Sequence, residues 1–384
     1  MKVVIVGGGF AGVKAALELS KRSIGKITLI SDEPYFLHHA TLYATATGRN
    51  MAESVIPYEA IFAEHPKVDV IHDTVTGLDQ RRKLVTGVKD YKYDKLILAM
   101  GSVTTYFGIK GMDKHSFGIK SLDEIQNFHA HVFKEVVEDK LSPEYFIIGG
   151  GPTGIELAGA LHEYIQSLKL LHRLPKSKAK VTLIEAAPRV LPRMSKSASK
   201  KVTRELTRMG VAVKVGKKVE KLNKDTITID GKEFKTSAAV WTSGVANNPF
   251  FNEHRDTFNL NPAGRVEVNP YLEGAPHIYV LGDNNTVKHS GMALPAMIQA
   301  THVAKNITRL ATKRAQKKFR PHSVPSGVPT GESWAYVEWH GIYVAGKFGA
   351  WVRRMMELYG YTRLVPLKAA LPIWRAHDLH EVDI

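Results

Sequence analysis

Two glycine-rich hexapeptides, GGGFAG at 7–12 and GGGPTG at 149–154, are the segments whose spacing could do chemistry. Each places glycine first, third and sixth: Gly7, Gly9 and Gly12, then Gly149, Gly151 and Gly154. The first glycine permits a tight turn and the second lets backbone approach a pyrophosphate. The third lets the following helix lie close on its strand. An apolar run precedes each loop and a helix-period stretch follows. The amides of a helix start, at Phe10 and Ala11 or at Thr153, would therefore meet the phosphates with the helix dipole behind them, with Pro152, which has no N–H, opening the second helix beside the ligand. One such loop is a weak signal. Two imply two bound dinucleotides, and an electron relay in which a nicotinamide reduces a tightly held flavin.

A ribose partner is expected at the end of the next strand, about 20 residues on. After the second loop, VTLIEA places Glu185 there. A carboxylate at that point accepts from a free 2′-hydroxyl and repels a 2′-phosphate, favouring NADH over NADPH, and Arg189 close behind tempers that preference. After the first loop, TLISDEP offers either Ser31 or Asp32. Glu156, two residues past the second loop, has two readings. It either complements the helix dipole or positions a nicotinamide and handles a proton.

Elements to hold these residues are legible. Lys2–Val6 and Lys26–Ile30 read as strands buried on both faces, with Val13–Ser20 a helix between them. Another buried strand, KLILAM at 95–100, runs into Gly101. The unit repeats as a strand at 145–148, a helix at 155–170 and a strand at 181–184. Residues 171–180 read as an exposed loop between them. Alternation over 211–240 suggests antiparallel strands with a hairpin at Asp230–Gly231. Strands follow at 238–241 and 277–281, then a helix at 293–310. The fold class is α/β, with two Rossmann-like dinucleotide-binding domains.

Composition narrows the chemistry. With no cysteine in 384 residues there is no dithiol, thiolate metal site or persulfide step, which excludes disulfide reductase and sulfide-oxidising activities. The 17 histidines show no compact ligand spacing, so no metal is expected. MKVVIVGGGF reads as a strand entering a turn rather than a signal peptide, and no apolar run is long enough to span a membrane. The net charge of +16 gathers at 169–180, 193–218, 305–320 and 347–375 without a nucleic-acid motif, so no nucleic-acid partner is expected.

The paired loops, VTLIEAAPRVLP, AAVWTSGV and YVLGD resemble the two-dinucleotide flavoprotein superfamily. EPYFLHHATLYATATG at 33–48 is similar to a segment of type II, non-proton-pumping NADH:quinone oxidoreductases. The resemblance implies an FAD domain from 1–110 and 236–325, an NAD domain at 111–235 inserted in it, and a C-terminal segment at 326–384. It implies that the chain crosses between domains at Gly101 and Gly244, and that Asp283 binds FAD. The family's quinone region resembles AQxAxQ at a helix start. Here the chain has Leu294, Ala296 and Ile298, with Gln299 one place late. Both family glutamines are therefore replaced, which leaves open a soluble reductase acting on a ferredoxin- or rubredoxin-like protein. The tail, GIYVAGKFGAWVRRMMELYGYTRLVPLKAALPIW, mixes aromatic and basic residues, as an interfacial helix does. The resemblance implies a membrane-binding tail with Trp339, Trp351 and Trp374 as anchors. A helix packed on the core or a homodimer interface is the alternative. The implied enzyme takes NADH and FAD, reduces quinone, and sits peripherally on the cytoplasmic side of the cell membrane.

Overall fold

The computed structural model describes residues 1–139, 141 and 143–380. A six-stranded sheet runs in the order Glu273–Ala275, Ile278–Val280, Lys95–Leu98, Lys2–Val6, Lys26–Ser31, Val68–His72. Four of its five pairings are parallel, and only the Glu273–Ala275 edge is antiparallel. Both faces of such a sheet must be covered, which is why its strands are apolar throughout. The helix Phe10–Ser20 packs with Ala293–Ala311 on one face, and Phe250, Phe251 and Phe258 fill the other.

A second sheet runs Ala212–Val215, Lys180–Glu185, Glu144–Ile148, Ala238–Trp241, all parallel. The helices Leu122–Phe133, Pro152–Leu171 and Lys196–Met209 close one side of it. On the other lies the three-stranded meander Val219–Leu222, Thr226–Ile229, Lys232–Lys235. Its second hairpin turns at Asp230 and Gly231, both at positive φ, as a tight hairpin turn demands. The chain passes between the two sheets twice. Ser102–Thr104 and Val245–Asn247 pair antiparallel, so the crossings form one short ribbon.

Observed elements sit close to the sequence expectations. Both loop helices begin three residues earlier than their periodicity suggests, because the glycine turn itself supplies the first helical residues.

The C-terminal region differs from a single interfacial helix. It opens with a three-stranded antiparallel sheet, Ser326–Pro329, Ala335–Trp339 and Ile342–Gly346. The helices Lys347–Thr362 and Leu367–Ala376 follow. Tyr361, Leu364, Val365 and Ala370 join the core of the first sheet, so this region is packed protein on its inner side.

Candidate functional site: two glycine loops and a buried acid

The two loops have matching geometry. In the first, Gly7 donates to Ile30 O at 2.9 Å; in the second, Gly149 donates to Ile184 O at 2.8 Å. A side chain at Gly12 would run into the carbonyl of Gly7, and one at Gly154 into the carbonyl of Gly149. At Gly9 and Gly151, by contrast, an added Cβ meets nothing within 4 Å. Those two residues are the N-caps of the loop helices, and neither cap offers a side chain to the first-turn amides. The open space therefore lies where unpaired amides of Phe10, Ala11 and Gly12, or of Thr153 and Gly154, need an acceptor. A pyrophosphate fits both.

Strand-end residues differ between the loops. Glu185 accepts from Gly150 N at 2.6 Å and from Ala187 N at 2.7 Å, which fixes its carboxylate beside the loop. Arg189 donates to the carbonyls of Leu191, Pro192 and Met194, so its guanidinium is tied to its own turn rather than free for a 2′-phosphate. Ser31 occupies the place equivalent to Glu185, one residue past the paired Ile30. It is buried, and its hydroxyl lies 3.0 Å from Tyr58 Oη and accepts from Glu33 N. Tyr58 in turn donates to Gly8 O at 3.0 Å. Asp32 is exposed, its carbonyl taken by His72. The structure thus puts Ser31 beside the loop as scaffold and Asp32 at the rim.

Asp283 is the middle residue of the short turn Gly282–Asn284 and accepts from Ser102 Oγ at 3.2 Å. Its neighbour Asn284 bonds both backbone groups of Gly101 and also Asn247, fastening the two crossings to this turn. Gly244 adopts φ +82°, and a side chain there would strike Thr105 and Phe107. Gln299 is buried beneath the turn, and its carbonyl accepts from Gly282 N and Asn285 Nδ2. Its acceptor oxygen is therefore committed to the turn. Leu294 and Ile298 are half-buried on the same helix, with Ala296 buried between them.

Two further groups lie at this site: Lys120, which has no sequence signal, and His38, which falls within the 33–48 segment. Lys120 Nζ is buried without a hydrogen-bond partner among the described residues, and burial lowers its pKa while Glu124 and Asp283 raise it. An unpaired buried ammonium is costly. Together with the orphaned Nε2 of Gln299, it fits a bound group with acceptor oxygens beside Asp283, as a flavin has. His38 is buried too, between Phe10, Phe36 and Tyr361. Burial pushes its pKa down to about 3, so the ring is neutral at ordinary pH.

Glu156 sits in the second turn of its helix, 8% exposed, and burial pushes its pKa up to about 7. Arg353 opposes that rise and Glu357 adds to it. Both come from the C-terminal helix, where Glu357 bridges Arg353 and Arg354 at 2.9 Å each. Burial raises the Glu357 carboxyl, but the arginines and His377 outweigh it and hold it below its usual value. The acid past the second loop is therefore enclosed; burial dominates its proton affinity, and the charges of a C-terminal ion pair act on it in opposite senses.

The outer side of the same helix is apolar and exposed at Phe348, Trp351 and Tyr359, with Trp339, Ile342 and Tyr343 of the adjoining sheet. Trp374, expected as a third anchor, is half-buried. Its indole N–H donates to Arg354 O and its ring packs on the Arg354 guanidinium, so its polar end is already satisfied inside the protein. Among the described residues there is no cluster of metal-binding side chains, and no helix is long and apolar enough to cross a membrane.

A flavin- and nicotinamide-type site on two linked Rossmann-like sheets defines a class, and comparison agrees. The chain belongs to the pyridine nucleotide-disulphide oxidoreductase family, which it matches over residues 1–306. Within that family it belongs with the type II NADH:quinone oxidoreductases. The Mycobacterium tuberculosis type II NADH:quinone oxidoreductase Ndh is 31% identical over 333 residues, covering 80% of this chain and 72% of that protein. The Staphylococcus aureus type II NADH:quinone oxidoreductase is 27% identical over 381 residues, covering 93% and 94%. The fold matches a solved structure of NDH2 from Plasmodium falciparum with a TM-score of 0.86 at 16% identity, over 98% of this chain and 97% of that one. The chain is an NADH-driven flavoprotein oxidoreductase. Lacking cysteine, it does not use the dithiol step in the family's name.

Proposed function

We propose that this enzyme oxidises NADH at the second loop and passes the electrons through FAD, held by the first loop, to a quinone at a membrane surface. The assignment takes 1–110 and 236–325 as the FAD-binding unit and 111–235 as the NAD-binding unit. The observation that carries it is the pairing of two open, anion-accepting helix starts with one enclosed acid. Glu156 lies two residues past the nicotinamide loop and is buried, with the charges of Arg353 and Glu357 acting on it.

Bound FAD supplies the two-electron chemistry that links a hydride donor to an acceptor. The chain's own residues bind and orient. Gly9 and Gly151 admit the two pyrophosphates, and Glu185 takes the ribose of NADH. Asp283 and Lys120 present charge to the flavin. Glu156, whose carboxyl burial pushes up to about 7, can give or take a proton there. Leu294, Ala296 and Ile298 offer an apolar wall for a quinone ring, which needs few polar contacts. Phe348, Trp351 and Tyr359 beside Lys347, Arg363 and Lys368 suit an anionic bilayer on the cytoplasmic side.

The test compares NADH oxidation by a short-chain quinone analogue with reduction of a ferredoxin or rubredoxin. Quinone turnover is expected. Turnover with the iron–sulfur or iron protein alone would overturn the reading in favour of a soluble reductase. For the membrane part, Trp351→Ser with Phe348→Ser should abolish binding to anionic vesicles while dye reduction by NADH persists. Unchanged vesicle binding, or a dimer that dissociates in the variant, would assign the aromatic face to a second copy instead.

A further inference from the structure

The helix Pro152–Leu171 carries a second, half-buried carboxyl that the loop chemistry does not use. Glu156, Ala160, Glu163 and Ser167 recur at steps of four, three and four residues, so they share one face. Glu156 and Glu163 are about 10.5 Å apart along the axis, at ~1.5 Å rise per residue. Ala160 lies between them on that face.

Over Ala160 lies a cavity of about 490 Å³. Ala160, Glu163, Ser167 and Tyr43 line it, and it reaches inward to Arg353 and Glu357. These are the two residues whose charges act on Glu156. Its outer rim carries Glu332 and His380, each about half exposed. One water takes ~30 Å³ of liquid volume, so the space admits a file of waters with polar partners along the way.

Glu163 is anchored at the rim side. Its Oε2 accepts from Glu332 N at 2.9 Å. The charged groups facing it are Arg49, which lowers its proton affinity, and Glu205 of the neighbouring helix, which raises it. Burial is the larger influence and pushes its pKa up to about 7, the same range as Glu156. Burial raises both acids in the same direction, which suits proton exchange between them.

Resting on the quinone reading above, the overall reaction is NADH + H⁺ + quinone → NAD⁺ + quinol. NADH supplies both electrons and one hydrogen, and the remaining proton comes from water. We propose that this cavity is the proton intake of the enzyme. Glu163 takes the proton from solvent at the rim and hands it through bridging water, past Ala160, to Glu156. Glu156 is thereby recharged after each proton it gives up. Glu163 is a relay rather than a group touching substrate.

The experiment uses the flavin-loaded enzyme with two variants. Glu163→Gln keeps the volume and the acceptor for Glu332 N but cannot carry a proton. Ala160→Leu keeps both acids and fills the passage. NADH-driven bleaching of the flavin should be unchanged in both. Turnover with a short-chain quinone should fall about tenfold or more, within reach of general acid–base effects. Its solvent deuterium isotope effect should rise. In an infrared titration, a carboxylic C=O band should disappear near pH 7 in the wild type and in Ala160→Leu, and its Glu163 share should be missing in Glu163→Gln. Wild-type quinone turnover and isotope effect in both variants would overturn the intake, as would a Glu163 band titrating in the ordinary carboxylate range. A wild-type enzyme that reduces no quinone fails the proposed function itself, and the intake with it. A wild-type enzyme that does, with variants that match it, fails the intake alone.

Discussion

Ser31 and Glu185 hold the same place in the two glycine-loop units, one residue beyond the strand pair that closes each loop. Glu185 reaches Gly150 N directly with a carboxylate oxygen. Ser31 is too short to do so, and Tyr58 completes the link by donating to Gly8 O while contacting Ser31 Oγ. One unit presents a charge for ligand, and the other uses that position to build the loop. Tyr58→Phe should therefore cost about 1–3 kcal/mol, the range for leaving buried polar groups unsatisfied. It should also weaken flavin retention without changing the KM for NADH. Thermal melting, bound-flavin absorbance and steady-state kinetics on one preparation would check this. A raised KM for NADH with normal flavin content would contradict it.

Glu185→Ala removes charge-assisted bonds to the second loop and, on the proposed function, the one to the ribose. Hydrogen bonds to charged groups contribute about 1.5–3 kcal/mol, so KM for NADH should rise about tenfold to a hundredfold with bound flavin retained. Since Arg189 is tied to Leu191, Pro192 and Met194, the same change should bring little gain with NADPH. A strong switch to NADPH would show that Arg189 leaves its turn.

The glycines separate folding from binding. Gly12→Ala drives a methyl into the Gly7 carbonyl, while Gly9→Ala meets no protein atom within 4 Å. Gly9→Ala should fold with a normal far-UV spectrum and lack flavin. Gly12→Ala should lose stability as well. Equal flavin content in Gly9→Ala and wild type would place the pyrophosphate elsewhere.

These relations also mark where the sequence is readable. Parallel strands buried on both faces appear as unbroken apolar runs, and the loops announce themselves because only glycine survives there. Glu185 is found by its distance from the loop. Tyr58, Lys120 and Asn284 are not found, since each acts through a contact 50 or more residues away and leaves no local period. The tail misleads for a physical reason. Its charged residues read as surface, yet Arg353 and Glu357 face inward and satisfy each other, while Phe348 and Trp351 face out.

That inversion predicts a large stability effect from a residue that sequence alone would leave on the surface. Glu357→Ala leaves Arg353 and Arg354 without their shared carboxylate. Breaking a buried pair costs about 3–5 kcal/mol, whereas Trp351→Ser on the exposed side should cost little. Urea unfolding of the two variants would compare them. Equal midpoints would mean that the helix does not dock as described.

Glu156 gives the pH dependence. Its folded pKa of about 7 lies above the 4.5 of an unperturbed glutamate, so the fold favours its protonated form. That contribution is fully present below pH 4.5 and is lost as pH rises through about 7. The difference corresponds to about 3 kcal/mol at ~1.36 kcal/mol for each tenfold change in affinity. Glu156→Gln cannot ionise, and so should melt near wild type in acid and above it on the alkaline side. Its quinone turnover should fall, because the neutral amide gives up no proton. Parallel melting curves for the two proteins from pH 4.5 to beyond 7 would expose the divergence. Curves that stay parallel would mean that Glu156 is ionised throughout and that Arg353 wins over burial.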